Sequence, residues 1–73
     1  MNNQRRKQIK NALKFISQAK DILEEVKEEE QNAFDNLPES IQYSEKGEQM
    51  EENIYNLEEF IDFLNNTDTL ETM

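Results

Sequence analysis

The 73 residues include 17 acids, eight Lys and Arg, no Cys and no His, and carry a formal net charge of −9. A chain this short, with 34% apolar content, forms one domain with a marginal core, which predicts self-association or a protein partner. Without Cys or His, disulfide frameworks, thiolate or imidazole metal sites and the common nucleophile–base pairs are excluded, and a reducing cytoplasm is the expected setting.

The basic opening Met1 to Lys7 is followed by Lys10, Asn11, Lys14 and Lys20, which break up any signal-peptide core, and no stretch approaches the ~20 apolar residues that span a bilayer. A soluble protein without a membrane role is expected. The charge divides sharply along the chain. Residues 1–20 carry six cations and no acid, whereas residues 21–73 carry all 17 acids against Lys27 and Lys46. Such a gradient needs a spatial explanation, because like charges packed side by side destabilise the fold that holds them.

From about Asn3 to Asn36 there is neither Gly nor Pro, and good helix formers dominate, so the sequence predicts one long first helix. Its apolar positions are heptad-like. One column holds Ile9, Ile16, Leu23, Glu30 and Leu37; the column three residues on holds Ala12, Ala19, Val26 and Ala33, small enough to admit a second helix closely. Leu13, Phe15, Ile22 and Phe34 flank these columns and widen the apolar face.

Pro38 cannot continue a helix and disfavours helical geometry at Leu37, so residues 37–43 are read as a reversal, with a short turn starting at Pro38 and Ile41 tucked toward the core. Ser44 is the expected N-cap of a second helix running to Asn65, with Glu45 and Glu48 near its positive end. Its apolar seam, Tyr43, Gly47, Met50, Ile54, Leu57, Ile61 and Leu64, steps by four and three in alternation. Gly47 within that seam implies a close approach, assigned to Phe34 or Leu37. Residues 66–73 are expected to fray.

These elements predict an all-α protein, an antiparallel two-helix hairpin that dimerises into a four-helix bundle. The antiparallel pairing brings Lys10, Lys14 and Lys20 toward Glu58, Glu59, Asp62 and Asp68. Phe60 and Phe63 fall beside the seam of the second helix, Tyr55 farther round, and Phe15 and Ile22 form a similar edge on the first. With Phe34, these six are the candidate protein-interface residues: they either close a homodimer or form a groove for another protein. Glu24, Glu25, Glu28 and Glu29 make an acidic face. It is read chiefly as solvated helix surface, and as a candidate contact for a basic patch or a mimic of the phosphate backbone. A calcium loop is absent, and exposed helix-borne carboxylates lack the shaped pocket that catalysis requires, so neither a metal, a cofactor nor an enzymatic activity is expected. Arg5, Arg6, Lys7, Lys10 and Lys14 lack interleaved aromatics and sit on an acidic molecule, which makes nucleic acid an unfavoured partner.

The stretch Leu37-Pro38-Glu39-Ser40-Ile41-Gln42, continuing through Ser44-Glu45, Gly47-Glu48, Met50-Glu51-Glu52 and Asn56-Leu57-Glu58-Glu59, resembles a pattern in short acidic helical proteins of phages and prophages of Gram-positive bacteria. The resemblance covers most of the chain and transfers no functional residue. It implies the bacterial host cytoplasm as location and action by binding host proteins or by assembly. The expectation is therefore a non-catalytic accessory protein that binds and modulates or inhibits a host protein, with a structural, coiled-coil assembly role as the alternative and nucleic-acid mimicry or weak nucleic-acid binding as a third class.

Overall fold

The computed structural model describes residues 1–73 and is entirely helical, with four elements: α1 (Asn3–Asp35), α2 (Glu39–Gln42), α3 (Glu45–Asn65) and α4 (Asp68–Glu71). Together they form a slender rod of 58 × 15 × 12 Å, whose length is that of α1 at 1.5 Å per residue with a turn beyond its end. No helix is long and apolar enough to cross a membrane.

Asn2 starts α1, its side-chain oxygen accepting the Arg5 backbone N–H at 2.9 Å and so satisfying one of the unpaired donors of the first turn. The helix stops at Asp35, as Pro38 dictates. Pro38 then initiates the single turn α2, whose Gln42 reaches back: its side-chain amide donates to the carbonyls of Phe34 at 3.1 Å and Leu37 at 3.3 Å. The Leu37 carbonyl just beyond α1 is thereby satisfied by a side chain, and the Phe34 carbonyl, which already accepts the Leu37 N–H at 3.0 Å, gains a second donor. Ile41 is exposed rather than tucked inward, because Gln42 takes the inward position of this turn. Ser44 caps α3 in extended geometry, as expected, but its hydroxyl donates to the Ile41 carbonyl instead of receiving a helix N–H.

The chain then returns along α1. Successive pairs run in opposite senses in the two segments: Phe34 with Gln42, Glu30 with Asn53, Lys27 with Glu58, and Arg6 with Met73. The seam of α3 is the predicted one from Gly47 onward, with Gly47, Ile54 and Ile61 buried and Met50, Leu57 and Leu64 half-buried. Tyr43 lies outside it and is exposed, since it stands before the helix begins.

On α1 the inward positions are Ile9, Leu13, Ile16, Lys20, Leu23, Lys27, Glu30 and Phe34, all half-buried, and Leu37 just beyond its end continues the column. The first expected column is therefore correct, but its partner column lies four residues on, not three. Ala12, Ala19, Val26 and Ala33 face outward. Larger residues win the inward column because Leu13 and Phe34 bury more apolar area than alanine, and the stems of Lys20 and Lys27 cover apolar surface while their ammonium groups stay in water.

Gly47 owes its place to α2. A Cβ built there would lie 2.7 Å from the Gln42 Cα and closer still to the Gln42 carbonyl, so the backbone of α2, and not Phe34 or Leu37, is what requires glycine. The tail makes contacts as well: Thr67 and Leu70 are half-buried, and the Arg6 guanidinium donates to the Met73 carbonyl at 3.1 Å. Residues 66–73 thus pack against the part of α1 that α3 leaves uncovered, where Ile9 and Leu13 would otherwise be bare.

Candidate functional site: an exposed apolar face

With three buried residues in 73, this fold leaves ten of its large apolar side chains exposed. On α1, Phe15 is 60% exposed and Ile22 61%, and Val26 joins them; on α3, Phe60 is 53% exposed and Phe63 71%. The column Ala12, Phe15, Ala19, Ile22 and Val26 advances by three and four in alternation, the spacing of a second heptad seam lying beside the one that faces α3.

The two helices contribute to one side of the rod. Val26 and Phe60 line the same groove between α1 and α3, about 660 Å³, whose other walls are Leu23, Glu29, Glu30, Asn53, Asn56 and Leu57. Phe63, one turn beyond Phe60, has its ring centroid 6.0 Å away at an interplanar angle of 34°. That separation is within the range of favourable aromatic pairs. Asn53 donates to Glu30 at 3.0 Å across the groove and is held in turn by Gln49 at 3.0 Å, so the polar wall is fixed by hydrogen bonds.

The other flank is polar. Lys27 and Glu58 form an ion pair at 3.7 Å, the only one in the structure, and Glu24, Glu28, Gln31 and Asn32 surround them. Tyr55, 59% exposed, is three residues from Glu58 on this same helix side and does not join Phe60 and Phe63. Phe34 departs from the expected interface set too. It is half-buried on the inward column of α1, used within the chain. The four acids of the expected acidic face are split: Glu24 and Glu28 accompany Lys27, Glu29 borders the apolar groove, and Glu25 is exposed.

The expected charge pairing does not form either. Lys10, Lys14 and Lys20 have no carboxylate within ion-pair distance. The reason is register: the Lys27–Glu58 pair sets the acids of α3 beside the acidic half of α1, and the basic half runs on past the end of α3. The charges consequently separate along the rod. Residues 21–65 hold fifteen acids against two lysines, a net −13, while the opposite end holds six cations with Asp68 and Glu71, a net +4. No group of three His, Cys, Asp or Glu side chains stands close enough together to hold a metal ion.

Val26, Ala12 and Ala19 are the face residues that the candidate set omits. Their own alternation of three and four is the signal for them, obscured because the same residues fit a narrow inward seam equally well. Comparison with protein-family models, with curated proteins and with solved structures returns no match.

Proposed function

We propose that this chain is a non-catalytic interaction protein, a helical hairpin that dimerises into a four-helix bundle and binds a protein with a basic patch. The observation that carries the reading is the exposed stripe of Phe15, Ile22, Val26, Phe60 and Phe63 on a rod with almost no interior. A fully exposed Phe presents about 200 Å², so the five side chains offer on the order of 500 Å² of apolar area on each copy. Solitary exposed hydrophobics need no explanation, whereas a stripe of this size stands among the largest apolar patches that single proteins expose, and such patches are often functional. Doubled and extended by flanking residues, it reaches the ~1,000 Å² at which specific interfaces begin.

The second contact is electrostatic. The net −13 of residues 21–65 gives that end of the rod a strong negative field, which steers a cationic protein surface toward it. In the phage setting that the sequence pattern implies, the bound protein belongs to the bacterial host and is modulated or blocked by occupancy. The elongated shape, 58 Å in its long dimension, favours as a second reading an assembly role in which the bundle is itself the product.

Light scattering over a concentration series tests the first contact. A stable mass of about twice 8.7 kDa is expected, falling to 8.7 kDa in the double variant Phe15→Glu, Phe63→Glu. A monomer at every concentration removes the bundle, and growth beyond a dimer moves the reading to assembly. For the second contact, capture from host lysate is compared between the native chain and the variant with Glu24, Glu25, Glu28 and Glu29 all changed to Lys. Equal capture of the same protein by both refutes the acidic contact.

A further inference from the structure

We infer that the occupant of the apolar face is a second copy of this chain lying in the opposite direction, with the two-fold axis level with Lys20 and Asp21. This rests on the self-association proposed above and adds the orientation, which decides the geometry of the whole assembly.

Two independent features meet at that level. The first is charge. Along α1 the sign changes between Lys20 and Asp21, six cations on one side and, up to Asp35, seven acids against Lys27 on the other. Helix α3 adds its acids beside the acidic half only, as the Lys27–Glu58 pair shows. Within one copy, like charges thus lie side by side, and the six cations of the other end form no ion pair, with only Glu71 and Asp68 at their level. A parallel second copy would set acidic end on acidic end and double that repulsion. An antiparallel copy lays Arg5 to Lys20 over the acidic end of its neighbour at both ends at once. The net −9 of each copy opposes association in either direction, and the antiparallel direction alone offsets it with attraction.

The second feature is shape. With the axis between Lys20 and Asp21, Ala19 meets Ile22 of the second copy, and Phe15 meets Val26, at the edge of the groove that Val26 and Phe60 line. Large residues oppose smaller ones in each layer, as interdigitating helix contacts require. Phe63 lies near the same level, because position 27 on α1 stands beside position 58 on α3. The aromatic pair of each copy is therefore central to the interface, where anchors contribute most.

Spin labels read the orientation directly, and the chain has no native Cys to interfere. In Gln4→Cys the antiparallel dimer separates the two labels by about 50 Å, thirty-three residues of helix rise, whereas a parallel dimer holds them within about 10–20 Å. In Gln18→Cys, beside the axis, the separation is short in both arrangements and verifies that α1 faces α1. A dimer with a long Gln4 separation and a short Gln18 separation is the expected result. A dimer with a short Gln4 separation overturns the orientation and leaves the self-association standing. Absence of any intermolecular coupling, with a monomer mass, overturns both.

Discussion

Replacing Gly47 by alanine inserts one methyl group where the structure has backbone. The added Cβ would stand 2.7 Å from the Gln42 Cα and nearer still to its carbonyl carbon and oxygen, contacts that no side-chain rotation relieves. Glycine in a helix interior costs about 1 kcal/mol relative to alanine, so an unobstructed Gly→Ala change at Gly47, in the first turn of the 21-residue α3, is stabilising by at most about that amount. Here α2 must be pushed away by roughly 1 Å. That motion strains the two hydrogen bonds from Gln42 to Phe34 and Leu37 and loosens the turn that joins α1 to α3. Overpacking of this kind costs about 1–3 kcal/mol where side chains yield, and the upper part of that range applies where backbone must move. After subtracting the propensity gain, a net loss of about 2 kcal/mol remains, equivalent to a fall in Tm of about 8–16 °C for a domain of this size. Circular dichroism at 222 nm on heating, at one protein concentration for both forms, measures it. An unchanged or raised Tm refutes the assigned role of Gly47, since it means that α2 does not press on α3.

Truncating either buried isoleucine, Ile54→Ala or Ile61→Ala, is expected to cost about 2–4 kcal/mol by urea unfolding, while Phe63→Ala, exposed in the single copy, acts through dimer affinity and leaves the unfolding of a dilute monomer nearly unchanged. Gln42→Ala removes both carbonyl contacts at the end of α1 and is expected to lower stability by about 1–2 kcal/mol, with faster amide exchange confined to residues near the turn. Lys27→Met keeps the apolar stem and discards a half-exposed ion pair, so a change within about 0.5 kcal/mol is expected, and a loss above about 1.5 kcal/mol would show the Glu58 pair to matter more than its exposure implies. Deleting residues 67–73 removes Leu70 and the Met73 carbonyl from the basic end of α1, and hydrogen exchange should rise across residues 3–13 while residues 20–34 stay protected.

The helices themselves were legible from local signals. Absence of Gly and Pro marked α1, Pro38 set its end, and Ser44 with Glu45 and Glu48 marked the start of α3. These features act within a few residues of the boundary they define, so a single chain exposes them. The inward side of α1 was not legible in the same way. Columns at 9, 12, 16, 19, 23 and 26 and at 9, 13, 16, 20, 23 and 27 are both heptad-like, and apolarity alone favours the first because Lys20 and Lys27 spoil the second. The choice depends on how a lysine stem packs across a neighbouring helix, a tertiary matter. The contacts of the tail and the contact partner of Gly47 were hidden for a similar reason: each depends on how one segment folds back on another, the overhang of α1 in one case and the backbone of α2 in the other.

Two heptad seams on one helix and a reversal of charge at its middle have a joint consequence. The inward seam of α1 carries two lysines and Glu30, whereas the outward one, from Ala12 to Val26, carries no charge at all. If the fold of one copy were the whole structure, the seam without charge would be the one left in water, an arrangement that forfeits burial of Phe15, Ile22 and Val26 worth roughly 25 cal/mol per Å². The arrangement becomes economical once the outward seam is itself an interface. Polar residues are then confined to the contact with α3, where Asn53 pairs with Glu30 and Glu58 with Lys27 across the two helices, and these cross-helix pairs hold α3 in register. In the proposed dimer the uncharged seam is the contact between chains, with its direction chosen by the charged ends. On this view α3 does not complete a core so much as fix which side of α1 remains free. The sharpest check is a swap of burden between the seams: Lys20→Leu with Lys27→Leu should raise the Tm of the monomer, whereas Ala19→Lys with Ile22→Lys should leave the monomer folded and abolish the dimer, read by circular dichroism and light scattering on the same samples. Loss of helicity in the second variant without dilution dependence would mean that the outward seam belongs to the fold of one chain, and the division of labour between the two seams would fall with it.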